Sequence, residues 1–168
     1  MTETDVEFRV ATVADWGEIW PIMSAVVARG DTYAYPPDIN EADARSAWML
    51  PQVGRAATYV AIVDGDVVAT SYLKPNQPGL GDHIANAGWM VAPSAGGRGI
   101  GRAFADYVMS EARRLEYQGM QFNAVVATNV RAIGLWESLG FAIVGTVPRA
   151  FRHTVDGMVA VHIMYRDL

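Results

Sequence analysis

The chain has 168 residues, 51% of them hydrophobic and 18% charged, which suits one domain with a sizeable core and excludes a disordered chain. It has no cysteine, so a disulfide scaffold, a thiolate zinc site and a cysteine nucleophile are all excluded. The net charge of −5 divides unevenly: residues 1–66 carry 4 basic and 11 acidic side chains, residues 67–168 carry 9 and 7. An acidic total argues against a nucleic-acid binder, while the more basic second part suits an anionic small molecule. The acidic start Met1-Thr2-Glu3-Thr4-Asp5 carries no basic or apolar leader pattern, and no apolar run is long enough to span a bilayer. A soluble cytoplasmic protein without a membrane partner is the expectation.

In chain order, Val6 to Val10 alternates apolar and polar residues as a half-buried strand does. Thr12-Val13-Ala14-Asp15 resembles a capping box, and Trp16, Ile19, Trp20, Met23, Val26 and Val27 follow at helical spacing up to Gly30-Asp31. Thr32 to Pro37 reads as a loop, and Glu41 to Leu50 as a second helix stopped by Pro51. Thr58 to Val63 and Val67 to Leu73 flank Asp64-Gly65-Asp66, a hairpin signal. Pro75 to Gly81 is a loop and Ile84 to Val91 a strand. After the glycines of 96–101, Arg102 to Tyr117 carries one apolar helical face. Gln121 to Ala127 is a strand, 130–139 a helix ended by Gly140, and Phe141 to Val147 and Met158 to Tyr165 are the last strands. The order β-α-α-β-β-β-α-β-α-β-β predicts an α/β (α+β) fold: an antiparallel meander, then one βαβ crossover.

The densest chemical signal is Val91-Ala92-Pro93-Ser94-Ala95-Gly96-Gly97-Arg98-Gly99-Ile100-Gly101-Arg102, joining a strand to a helix. Glycines let the backbone take positive φ and approach a ligand closely, and a helix N-terminus presents free N–H groups to an anion. Arg98 and Arg102 add charge-assisted donors. A dinucleotide fingerprint starting at Gly97 needs glycine or alanine where Arg102 stands. A P-loop needs Lys at Arg102 and Ser or Thr at Ala103. Neither fits.

The segment resembles the acyl-CoA pyrophosphate loop of the GNAT N-acetyltransferases, Gln/Arg-x-x-Gly-x-Gly/Ala, with Gly99 and Gly101 in the glycine positions and Gly96 where Gln or Arg is usual. Asn129-Val130-Arg131-Ala132 through Leu135-Trp136 to Gly140-Phe141 resembles the family's second cofactor segment. The resemblance covers essentially the whole chain. It implies the GNAT fold, a central mixed sheet of about seven strands flanked by about four helices in one domain, 1–168. It implies acetyl-CoA as cosubstrate, held by Met90, Val91, Gly97, Arg98, Gly99, Ile100, Gly101, Arg102, Asn129 and Trp136. An N–H of Met90 or Val91 would meet the oxyanion, and the usual tyrosine acid is replaced by Trp136. A homodimer is a further implication, with the apolar strand Met158-Val159-Ala160-Val161 available to pair across an interface.

Neither Ile84–Val91 nor Gln121–Val126 contains a carboxylate base; each contains one asparagine, Asn86 and Asn123. Asparagine is depleted in strands, and a buried amide needs partners. Asn86-Ala87-Gly88-Trp89-Met90-Val91 and Phe122-Asn123, with the later segment, resemble the yeast enzymes that acetylate azetidine-2-carboxylate. That likeness implies a small amine acceptor, with Asn86 and Asn123 orienting an amino or imino acid as catalytic residues. The loop residues Thr32, Tyr33 and Tyr35 are the expected acceptor wall. His83 and His153 are candidate proton relays through water if they face the cleft, whereas His162, inside a strand, reads as a packed residue. No two histidines have ligand spacing, so no metal is implied. Acetyltransfer to a herbicide or antibiotic amine or to a protein N-terminus, and a non-catalytic acyl-CoA-binding module, are the alternatives.

Overall fold

The computed structural model describes residues 5–168. Its strands are β1 (Val6–Val10), β2 (Ala57–Val63), β3 (Asp66–Pro75), β4 (Ile84–Val91), β5 (Gly119–Val126), β6 (Ala142–His153) and β7 (Gly157–Asp167). Its helices are α1 (Trp16–Ala28), α2 (Glu41–Trp48), α3 (Ile100–Arg114) and α4 (Val130–Ser138). The strands form one mixed sheet in the order β1-β2-β3-β4-β5-β7-β6. β1 to β4 are an antiparallel meander, and the β4–α3–β5 crossover makes the parallel pair. The expected fold class and topology are those observed.

The sheet is covered on both faces, which is why its central strands lack a polar face. Ile19, Met23 and Val27 of α1 and Trp48 of α2 pack with Val60 and Met90 on one side. Phe104, Val108 and Met109 of α3 and Trp136 of α4 pack with Ala85, Ala87 and Phe122 on the other. Side chains alternate along a strand. Asn86, Gly88 and Met90 therefore face α1 and α2, and Ala87 and Trp89 face α3 and α4.

The pairing of β4 with β5 sets up the site. Their register comprises only Ile84↔Gly119 and Ala85↔Met120. Beyond these the strands part, and β5 carries an irregularity between Phe122 and Val125. The parted strands leave β4 backbone groups without a strand partner, at the end from which the chain enters the glycine loop.

Several boundaries differ from expectation for identifiable reasons. α3 starts at Ile100 rather than Arg102, because Gly99 takes φ +78 as its N-cap and already turns the chain into the helix. α2 ends at Trp48, and β6 continues past Val147 to His153. β6 tolerates Pro148 because it is the outermost strand and bulges between Val147 and Phe151. β7 is paired with β6 from Gly157 onward, whereas on its other side β5 joins it only from Val161, with Ala127 N–H donating to Ala160 O, so among the described residues Met158 and Val159 have no register partner on that side. Among the described residues no helix is long and apolar enough to cross a membrane.

Candidate active site

A cleft of about 460 Å³ lies between the parted strands and the loop that follows α1. Asn86, Trp89, Met90 and Val91 of β4 line it with Phe122 and Asn123 of β5, Asn129 and Trp136 of α4, and Thr32, Tyr33 and Tyr35 of the loop. Candidates from four separate stretches of sequence thus converge on one space, whereas Gly97, Arg98, Gly99, Ile100, Gly101 and Arg102 of the glycine loop are not among its lining residues.

The backbone of β4 divides its roles by register. Ala92 N–H donates to Val68 O at 2.8 Å, and the β3–β4 register runs unbroken below it. Antiparallel residues alternate between bonded and open pairs. Met90, opposite Thr70, therefore shares its backbone groups with β3, while those of Trp89 and Val91 point toward the gap. Tyr33 Oη donates to Trp89 O at 2.7 Å, which pins the α1–α2 loop to β4 at the gap. Of the two expected oxyanion donors, the geometry leaves Val91 N–H facing the cleft.

Asn86 is buried, and both ends of its amide are engaged. Tyr72 Oη donates to its Oδ1 at 3.2 Å, and its Nδ2 donates to Gln121 O at 3.0 Å. It bridges β4 to β5 just above their last register pair. Asn123 is exposed at the rim: its Oδ1 accepts from Gln121 Nε2 at 2.9 Å and its Nδ2 donates to Asn76 Oδ1 at 2.8 Å. The two asparagines are brought together, joined through Gln121. Asn76, Tyr72 and Gln121 were not visible as site residues in the sequence, since the contacts depend on strand register.

Trp136 is buried against Trp89, Phe122 and Phe141, with ring centroids 4.7, 4.7 and 5.8 Å away. Burial pushes Tyr33 far above the usual phenol range and Tyr72 up to about 12, so both act as hydrogen-bond donors near neutral pH. In the glycine loop, a Cβ at Gly97 or Gly99 would meet nothing within 4 Å, yet both have positive φ. The space above the loop is open and the conformation is what demands glycine. Ile100 is buried in the core, so only its backbone faces the loop; Arg102 Nη1 donates to Ser138 Oγ at 2.8 Å, tying α3 to α4.

The histidines fall elsewhere. His83 is exposed at the closed end of the β4–β5 pair, where its carbonyl accepts from Gln118 N–H, and it does not face the cleft. His162 Nδ1 lies 2.8 Å from Thr146 Oγ1 across the β6–β7 pair. His153 is the last residue of β6, paired with Gly157, and lines a smaller neighbouring cavity.

A sequence model described as the acetyltransferase (GNAT) family matches residues 24–141. This chain belongs to that family. It is similar to a GCN5-related N-acetyltransferase from Kribbella flavida, at 45% identity over 97% of this chain and 98% of that one, with TM-score 0.93. It is 43% identical over 81 residues to N-acetyltransferase aca1 of Schizosaccharomyces pombe, a match spanning 48% of this chain and 39% of that relative. The chain thus covers well under two thirds of that curated relative's length. A phosphinothricin acetyltransferase from Sinorhizobium meliloti, solved in complex with AcCoA, shares the fold at TM-score 0.86 and 20% identity, over 97% of this chain and 88% of that one.

Proposed function

We propose that the protein is an acetyl-CoA-dependent N-acetyltransferase acting on the amine of a small molecule. The observation that carries this is the parting of β4 and β5 directly below a glycine loop that opens α3. Two features, one in the cleft and one in the loop beside it, fit the cofactor. The buried indole Nε1 of Trp89 lacks a partner among the described residues, and the loop glycines leave open space at a helix N-terminus. The backbone of Gly97 to Arg102, with Arg98, would hold the pyrophosphate, and Asn129 and Trp136 would line the pantetheine path.

Acetyl-CoA supplies an acetyl thioester: the acceptor nitrogen bonds to its carbonyl carbon, the C–S bond breaks, and the amine proton passes to the departing thiolate or to water. Val91 N–H would donate to the developing oxyanion, an interaction of the kind worth about 3–4 kcal/mol when removed. Tyr33 and Tyr35 wall the acceptor space, Asn123 orients the acceptor at the rim, and Asn86 acts as a positioning residue that sets the width of the gap. Burial of Trp136 among apolar rings supports a mechanism without a side-chain acid at that position. Much of the rate then comes from orientation in a ternary complex.

The test is CoA thiol release over a panel of small amines, combined with two variants. Gly99→Val forces a β-branched residue to φ +78 and is expected to abolish acetyl-CoA binding in calorimetry. Asn123→Ala is expected to lower kcat/KM at least about tenfold while acetyl-CoA affinity stays within about threefold. Tight cofactor binding by Gly99→Val overturns the loop assignment. Binding without turnover of any amine leaves the acyl-CoA-binding module instead.

A further inference from the structure

A cluster of rings spans the parted strands on the side of α3 and α4. Trp89 of β4 and Phe122 of β5 face each other across the gap, with ring centroids 5.5 Å apart and planes at 81°, and both line the cleft. Trp136 of α4 packs on the pair, its ring centroid 4.7 Å from each, and Phe141 stacks on Phe122 at 4.4 Å. Phe122, Trp136 and Phe141 are buried, and Phe122 is in register with Met164 of β7, which is fully buried. A ring wedged in this way has nowhere to retreat, because an interior packed to crystal density accepts an added group only by displacing its neighbours.

The closed end of the gap is sealed as well. Ala85↔Met120 is the last register pair, and Asn86 Nδ2 donates to Gln121 O just above it at 3.0 Å. Phe122 follows Gln121 on β5, so its ring is the first apolar surface above that seal. In the acetyltransferase reading, on which this inference rests, the thioester carbonyl would turn its oxygen to Val91 N–H on β4 and its sulfur to the glycine loop at the open end. A carbonyl carbon is trigonal and planar. Its third substituent, the acyl tail, is then directed at β5 and the closed end. The face toward α1 and α2 is left to the incoming amine, between Tyr33 and Tyr35. The tail therefore runs against Phe122 and the rings packed on it.

We infer that the cluster of Phe122, Trp89 and Trp136 fixes the length of the transferred acyl group, with Phe122 as a wall that a methyl group reaches and a longer chain does not pass. A further methylene is stabilised by burial only where a cavity receives it. Here it must push aside a ring that Trp136, Phe141 and Met164 hold from behind. Phe122 and Trp89 are thus specificity-determining residues for the acyl donor rather than for the amine.

Calorimetry on the full chain, with no amine present, measures Kd for acetyl-, propionyl- and butyryl-CoA. The parent is expected to bind butyryl-CoA at least about tenfold more weakly than acetyl-CoA, with propionyl-CoA between them. Phe122→Leu should bring the butyryl-to-acetyl ratio within about threefold, and Trp89→Phe should lower it in the same direction. Phe8→Leu is a matched control: it removes a ring stacked on Phe104 and Tyr107 at 5.6 and 5.2 Å, outside the cleft lining, and should leave the ratio unchanged. A single cooperative thermal transition shows that a variant is folded, and if Phe122→Leu lacks one, Trp89→Phe decides. A parent ratio near unity overturns the inference, as does a ratio unmoved in the folded wall variants or moved equally by Phe8→Leu. Equal binding of the three thioesters removes the wall and leaves the acetyltransferase reading standing, whereas binding of none removes that reading and the inference with it.

Discussion

Asp15 shows how far one residue's environment departs from its sequence signal. Thr12 and Asp15 read as a helix cap, and Thr12 N–H and Oγ1 do donate to Asp15 Oδ2, at 2.6 and 3.0 Å. The larger fact is that Arg9, on β1, grips both carboxylate oxygens at 2.8 Å. The guanidinium, followed by the Thr12 bonds, holds the carboxyl near 2 against burial. A group whose folded pKa is depressed adds stability above its unfolded pKa and loses it as pH falls through the folded one. Asp15→Asn is therefore expected to cost about 1–2 kcal/mol at pH 7, a figure discounted because Arg9 is partly exposed. In urea denaturation the gap between parent and variant should close as pH falls from about 5 to 2; a gap constant over that window contradicts the ion pair's role. Arg29 is a similar case. The sequence marks it only as a residue near a helix end, and the structure adds that Asp31 occupies its Nε edge.

At the scale of elements, α2 is eight residues long, too short to persist alone, so packing must hold it. Trp48 does this: it is fully buried, donates from Nε1 to Thr70 Oγ1 at 2.9 Å, and meets the edges of Tyr33 and Tyr72 with centroids 5.8 and 5.0 Å away. Trp48→Ala should cost about 3–5 kcal/mol. Because the lost ring also supports Tyr33 and Tyr72, acceptor KM should rise more than acetyl-CoA Kd; equal rises would show that the damage is global. Periodicity located α1 to α4 and all seven strands, because each buries a continuous apolar face. It misplaced the end of β6, since a proline reads as a stop until the strand is known to lie at the sheet edge. It could not place β7 inside the sheet between β5 and β6, since strand order does not follow chain order.

Across the whole molecule, the half-sheets β1–β4 and β5–β7 are joined by two register pairs and the Asn86–Gln121 bond. A cofactor lying in the gap binds the folded state only and bridges both halves. Acetyl-CoA at a hundredfold its Kd should then add about 2.7 kcal/mol of stability. Hydrogen exchange should slow most in the upper half of β4, in β5 and at the start of α3. Protection confined to other regions would place the cofactor elsewhere.

The sequence by itself determined the element order, the mixed-sheet class, the glycine loop and the asparagine pair, since these depend on local periodicity, turn chemistry and spacing. Tertiary structure alone decided which β4 amide faces the gap, how Asn86 and Asn123 are engaged, that His83 and His162 stand away from the cleft, and that Arg29, Thr32 and His153 share one compartment. Those outcomes depend on strand register and on the β6–β7 turn docking against the end of α1. The asparagine contacts join residues 35 and 47 positions apart and the turn contact residues 125 apart, beyond the reach of any local pattern.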